Sequence, residues 1–193
     1  MVAMNRIAGL LAALVALSFA SSQAIGQEFG LSEIRGGIYS HSVDEPGALF
    51  GVFDVSRVQD VNVELLFDTP GMSDWLAWGV LRPHLGATVN FAGLESMVYG
   101  GVSWTVPIAE TPLFFEASFG GAVHNGSTGP YGTATYPARD LGCSLAFRQS
   151  ASLGVMINDN ASIMATVEHA SNANLCQSNR GLTNMGIRFA YKF

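Results

Sequence analysis

Hydrophobic and polar residues alternate along most of the chain, in segments of roughly ten residues. Strict alternation places apolar side chains on one face of a β-strand and polar side chains on the other. A tilted strand needs about ten residues to cross a bilayer. The pattern therefore predicts an all-β fold, an eight-stranded antiparallel transmembrane β-barrel. The eight segments are 34–41, 61–67, 81–90, 98–106, 113–119, 145–155, 163–171 and 187–193.

The first residues of the chain have the order of a secretory signal peptide. Arg6 precedes an apolar run from Ile7 to Phe19, and small residues then lead to Ala24. We expect residues 1–24 to be this signal, with cleavage after Ala24 or as late as Gly26. Residues 25–193 then form a single barrel domain, since no later run has the 18 or more consecutive apolar residues of a spanning helix.

Composition narrows the class of protein further. Only 12% of the residues are charged and 22 are glycine, which suits a barrel in lipid better than a soluble domain. The net charge is −6 and no basic run offers the footprint for phosphate groups, so nucleic acid is excluded as a partner. The two cysteines lack the partners and spacing of a zinc site, and no metal or cofactor is implied.

The seventh segment carries an unusual polar pair. His169 and Ser171 share a strand face with Ile163, Ala165 and Val167, and this apolar face is the one expected to meet lipid. A polar pair on that face has a desolvation cost unless it lies at the headgroup boundary or has partners. The pair is therefore a candidate site, and the alternative is a polar girdle at the membrane interface.

Strand direction places this pair at the outer rim. An even number of strands leaves both termini on one side, and an exported chain enters the membrane from the periplasm. Odd strands then run outward, so His169 and Ser171 lie near the outer leaflet. We expect external connections at 43–60 and 124–140, a tight periplasmic turn at 158–160, and an interfacial element at 69–79, which contains two tryptophans.

The residue types suit ester hydrolysis. A serine hydroxyl becomes a good nucleophile when a histidine takes its proton, and a third group usually orients that histidine. Asn172 follows Ser171 directly, and its amide is a candidate donor to an oxyanion. An ester of an outer-leaflet lipid is the substrate that such a position would reach.

These residues resemble those of the outer-membrane lipid A 3-O-deacylase family. The resemblance rests on the sequence from His169 to Ala173, on the later Asn179-Arg180-Gly181, and on a last strand that ends in Phe193. It implies an eight-stranded barrel of the bacterial outer membrane that removes the 3-O-linked hydroxyacyl chain of lipid A in lipopolysaccharide. It also implies Ser171 as nucleophile, His169 as base and Asn172 in the oxyanion hole.

The chain departs from the family pattern at the orienting acid. The pattern has a carboxylate early in the last strand, where this sequence has Thr183 or Asn184. Thr183 has the outward parity and is the residue expected to reach His169. A hydroxyl does not offset the charge of an imidazolium as a carboxylate does. We therefore predict slower catalysis, or recruitment of another group. Glu168 is adjacent but points into the lumen.

Three further expectations concern the remaining polar residues and the function. Cys143 and Cys176 both fall at the outer rim, where an exported chain permits one disulfide, the alternative being two unpaired apolar side chains. His84 is expected in a lumen network, whereas His41 and His124 are expected to be solvated near external loops.

Besides a deacylase, a non-catalytic structural barrel and a lipase acting on phospholipid remain as alternative functions.

Overall fold

A computed structural model describes residues 30–44, 55–69, 71 and 78–193, and within them the chain forms one closed antiparallel barrel. Each strand pairs with the next, and β1 pairs with β8 to close the sheet. Among the described residues, no helix is long and apolar enough to cross a membrane. The strands are β1 (Gly30–Ser40), β2 (Val58–Asp68), β3 (Val80–Asn90), β4 (Met97–Pro107), β5 (Leu113–His124), β6 (Leu145–Met156), β7 (Ala161–Ser171) and β8 (Leu182–Lys192).

The barrel has two distinct ends. Both termini of the described chain meet at one end, where the Phe193 amide donates to the Ser32 carbonyl at 3.0 Å. We call this the terminal end; it also carries the connections 108–112 and 157–160, together with Thr69 after β2 and residues 78–79 before β3. The opposite end, here the loop end, carries the connections 91–96, 125–144 and 172–181, together with residues 41–44 after β1 and 55–57 before β2. The predicted signal peptide and Trp75 of the 69–79 linker lie outside the described residues.

The two faces of the sheet have opposite character, as the alternation predicts. Exposed apolar side chains such as Ile38, Phe119 and Ile187 cover the outside. Polar side chains fill the inside, because eight strands leave an interior only wide enough for side chains. Tyr39 and Met164 are fully buried among them. The barrel is therefore apolar outside and packed within.

Four arginines and four glutamates pair inside the barrel, so that their formal charges cancel. The Glu64 carboxylate accepts from Arg188 at 2.8 Å and from Arg35 at 3.0 Å. Arg148 contacts Glu168 at 2.8 Å. Buried charges are tolerated only when they are paired and hydrogen-bonded, which this network provides. Its members are Arg35, Arg82, Arg148, Arg188, Glu33, Glu64, Glu116 and Glu168.

The strands extend beyond the segments of clean alternation. β1 begins at Gly30 rather than at 34, because a bulge between Leu31 and Glu33 turns both Ser32 and Glu33 inward. A second irregularity between Tyr39 and Ser40 buries both of those side chains as well. The first bulge hides the two-residue period before residue 34, although strand pairing continues there.

His84 lies in the lumen as expected, whereas the expectation of solvated loop histidines is wrong. The His84 ring is hydrogen-bonded to the Ser103 hydroxyl at 3.0 Å. His41 is fully buried and His124 is 8% exposed. His41 lies between two carboxylates, with Nδ1 2.9 Å from Asp60 and Nε2 3.0 Å from Glu95. The loop end is thus closed by buried, paired charges rather than by solvent.

The environment of His41 predicts a pH-dependent stability. Burial alone would lower the pKa of His41, but hydrogen bonds and charge from Asp60 and Glu95 outweigh it and raise that pKa to about 9. The unfolded histidine has a pKa near 6.5. Protonated His41 therefore stabilises the folded barrel. This contribution is complete below pH 6.5 and is lost as pH rises through about 9.

We expect the unfolding temperature of the barrel in detergent to fall between pH 6.5 and about pH 9. His41→Gln is expected to remove the part of this fall that comes from deprotonation of His41. Glutamine keeps hydrogen-bonding capacity but does not titrate. The measurement is the unfolding temperature of both proteins over the range. Parallel curves for the two proteins would show that His41 contributes nothing to the pH dependence.

Candidate functional site

His169 and Ser171 lie at the loop end of β7, on the lipid-facing side of the sheet. Both side chains are partly exposed, whereas their neighbours Glu168 and Ala170 are buried inside. Strand pairing sets Ser171 opposite Phe147 of β6. It sets His169 opposite Thr183 of β8. The strand therefore presents an imidazole and a hydroxyl together on the outside of the barrel, as the parity argument predicts.

A chain of three side chains starts at the His169 ring. Nδ1 of His169 is 2.8 Å from Thr183 Oγ1. The Thr183 hydroxyl donates in turn to Asp44 Oδ2 at 2.9 Å. Asp44 belongs to the connection after β1, for which the sequence pattern predicts only an external loop. No local motif marks Asp44, because it is 139 residues from Thr183 and is brought there by barrel closure.

Gly181 lets the chain pass close to the His169 ring. Its φ is +67°, a left-handed conformation that side-chain-bearing residues rarely adopt. A Cβ on Gly181 would lie 2.9 Å from His169 Cε1. Only glycine fits here without displacing the ring, so this glycine helps to fix the imidazole between β7 and the connection into β8.

Asn172 differs from its expected placement. Its side chain is 3% exposed, on the inward side of the sheet from Ser171. Nδ2 donates to the carbonyls of Leu141 and Ser178, each at 2.6 Å. Both amide hydrogens are thereby used, and the Asn172 backbone amide donates to Asn179 at 2.8 Å. Because parity turns position 172 inward, this amide holds two connections together rather than facing the hydroxyl of Ser171.

A disulfide joins Cys143 and Cys176 beside the site. The bridge connects the residue that lies just before β6 with the connection 172–181, across a sequence separation of 33. It therefore ties the connection that follows Ser171 to the neighbouring strand. Closing a loop of this length is typically worth about 3–4 kcal/mol of stability.

An apolar groove lies beside the site on the outside of the barrel. Strand register aligns Ser171, Phe147, Gly121, Gly100 and Leu85 in one row over five strands. The two glycines remove side chains from the middle of the row, so that the flanking apolar residues enclose a groove of about 810 Å³. The groove is lined by, among others, Leu85, Val98, Phe119, Val123, Leu145 and Phe147.

Comparison with known proteins decides the family. A family model described as "Lipid A 3-O-deacylase (PagL)" matches residues 58–192, which is well over half of the chain. The chain belongs to this family. Lipid A 3-O-deacylases cleave a carboxylic ester, so the family is one of esterases.

Solved structures share the fold of this family member. The crystal structure of the outer membrane enzyme PagL matches with a TM-score of 0.57 and 17% identity, covering 84% of this chain and 100% of that one. The N-terminal β-barrel domain of Pseudomonas aeruginosa OprF matches with a TM-score of 0.53 and 11% identity, covering 88% and 100%. A search of curated protein sequences finds no match. Membership of this family places the chain in the bacterial outer membrane.

Proposed function

We propose that this chain is a lipid A 3-O-deacylase in which Ser171 is the nucleophile and His169 is the general base. The observation that carries the proposal is the lipid-facing His169, hydrogen-bonded through Nδ1 to Thr183 and two residues from Ser171 on the same strand face. An imidazole whose Nδ1 is engaged in this way keeps Nε2 for the serine proton. Membership of the lipid A 3-O-deacylase family supports the substrate.

The reaction follows from these roles. Ser171 Oγ attacks the carbonyl carbon of the 3-O-linked acyl ester of lipid A, and His169 Nε2 takes the proton of the Ser171 hydroxyl. The tetrahedral intermediate collapses, the C–O bond to the sugar breaks, and the imidazolium returns the proton to the sugar oxygen. Water, deprotonated by His169, then attacks the acyl-serine. The bond between the acyl carbon and Ser171 Oγ breaks, the imidazolium returns the proton to Oγ, and the 3-hydroxy acid leaves. Thr183 orients the imidazole, and Asn172 contributes by fixing the loop rather than as an oxyanion donor.

The apolar groove supports an acyl substrate. A hydrocarbon chain in the groove would pack against Phe119 and Phe147, whose rings are stacked with centroids 6.1 Å apart. Burial of apolar surface favours such a chain by about 0.8 kcal/mol per methylene group. The groove therefore provides binding energy for a long acyl chain next to the scissile ester.

Filling the groove is expected to impair the reaction without unfolding the barrel. At Gly121 the nearest atom to an added Cβ is the Ala146 carbonyl oxygen, 3.9 Å away, so the backbone tolerates a side chain. We expect Gly121→Leu to lower kcat/KM by about tenfold or more, since the pocket loses room for several methylene groups. Gly36→Leu on the lipid face of β1 is the matched control. Equal loss in both variants would indicate a general effect on the barrel.

The proposed function is tested with the purified full-length barrel in mixed micelles. We expect it to release a 3-hydroxy acid from lipid A and no fatty acid from phosphatidylethanolamine, with both products identified by mass spectrometry. Release from the phospholipid alone would make the protein a lipase with a different substrate. Release from neither lipid, with the barrel folded, would favour a structural role.

A further inference from the structure

The hydroxyl of Thr183 connects His169 to a carboxylate. It lies 2.8 Å from His169 Nδ1 and 2.9 Å from Asp44 Oδ2. A hydroxyl has one hydrogen to donate. Because a carboxylate can only accept, that hydrogen is donated to Asp44, and Thr183 Oγ1 is left to accept from His169. The contact therefore requires the imidazole proton to be on Nδ1.

Asp44 is held in place by a buried arginine. Arg139, only 3% exposed, reaches Asp44 Oδ1 with Nη2 at 3.0 Å. This contact leaves the other carboxylate oxygen, Oδ2, for Thr183. The guanidinium of Arg139 also donates from Nε to Ser42 Oγ at 2.6 Å. The backbone amide of Arg139 donates to Glu95 Oε1 at 2.6 Å. Asp44 is thus positioned by the buried charges that close the loop end.

We propose that Asp44 is a positioning residue which acts through Thr183 to fix the tautomer of His169. The inference rests on the function proposed above. A threonine hydroxyl alone accepts or donates equally well and does not specify the tautomer. A carboxylate behind it determines the direction of both hydrogen bonds. Asp44 and Thr183 together therefore orient the histidine, as a single acid in direct contact with it would.

Asp44→Asn tests the direction of these hydrogen bonds. The asparagine amide can donate to Thr183 Oγ1, which then donates to His169 Nδ1 and leaves the imidazole proton on Nε2. That tautomer does not accept the proton of Ser171. We expect kcat on lipid A to fall about 10- to 100-fold with KM nearly unchanged, less than the roughly 10⁴-fold lost when a directly bonded acid is replaced. Asp159→Asn, in the turn 157–160, is the matched control and is expected to match the unsubstituted protein.

Variants of Thr183 separate a hydrogen-bond relay, in which Asp44 acts on His169 through the Thr183 hydroxyl, from simple packing. Thr183→Val keeps the shape and removes the hydroxyl, so we expect a loss similar to that of Asp44→Asn. The double variant is expected to lose no more than either single one, because both break the same chain. Thr183→Ser restores the hydroxyl and is expected to recover most of the rate. Thr183→Glu places a carboxylate next to His169, and we expect it to raise the rate of the Asp44→Asn protein. Independent, additive losses would overturn the proposal.

The tautomer of His169 provides a test that does not depend on activity. In ¹⁵N-histidine-labelled barrel, with the His169 signals assigned by His169→Gln, we expect the neutral ring to carry its proton on Nδ1. In Asp44→Asn we expect the proton on Nε2. If the tautomer differs in this way between the two proteins but the unsubstituted protein cleaves no lipid A, the function fails and the relay stands. If the protein is active and Asp44→Asn changes neither kcat nor the tautomer, the relay is wrong and the function stands.

Discussion

Ser171→Ala is expected to reduce deacylation of lipid A by at least about 10³-fold and to leave the barrel folded. The hydroxyl is the proposed nucleophile, and its removal leaves no atom to form the acyl intermediate. Ser171 is partly exposed on the lipid face and outside the buried charge network, so the loss of one oxygen has little effect on packing. The measurement is the initial rate of 3-hydroxy acid release by each folded, purified protein.

Two comparisons make this result specific. Ser162→Ala removes a hydroxyl near the other end of β7 and is expected to keep the full rate. His169→Ala is expected to lose nearly as much as Ser171→Ala, and the double variant no more than either, because nucleophile and base act in one step. A Ser171→Ala protein that retained a tenth of the rate would exclude Ser171 as the nucleophile.

Glu64→Ala is expected to produce the largest loss of stability in the barrel. The Glu64 carboxylate accepts from Arg35 and Arg188, and the hydroxyl of Tyr99 also donates to it, at 3.1 Å. Its removal leaves an unbalanced positive charge among fully buried side chains. Breaking a buried ion pair by deleting one partner typically costs about 3–5 kcal/mol. The measurement is the free energy of unfolding by urea in lipid vesicles.

Glu110→Ala is the control for that measurement. Glu110 is an exposed glutamate in the short connection 108–112 at the terminal end, where loss of one charge is expected to change stability by less than about 0.5 kcal/mol. If Glu64→Ala unfolded at the same urea concentration as Glu110→Ala, the charge network would not be needed to hold the strands together.

Much of the fold can be predicted from the sequence, because the side-chain period of a strand is fixed by backbone geometry. Alternation identified all eight strands and the lumen position of Glu168. It also predicted that His169 and Ser171 share the lipid-facing side of β7, since parity needs no knowledge of other strands. The resemblance located Thr183 or Asn184 early in the last strand, parity on β8 favoured Thr183, and strand pairing sets Thr183 opposite His169.

The parts that were missed depend on contacts between distant segments. Asp44 reaches Thr183 only because β1 and β8 close the barrel, and no periodic pattern indicates where a loop carboxylate will lie. His41 looked like a solvated loop residue, but it is buried by Asp60 and Glu95 from other elements. The inward placement of Asn172 follows from parity at the end of β7, yet its carbonyl partners come from two connections.

The most direct test of the account is the lipid A of cells that produce this chain, compared by mass spectrometry with that of cells producing Ser171→Ala. Both proteins must first be shown to be folded in the outer membrane. We predict that the unsubstituted chain removes one 3-hydroxyacyl group from the 3-position and that Ser171→Ala leaves lipid A intact. Identical lipid A from the two strains would contradict a hydrolytic site on the lipid face of β7.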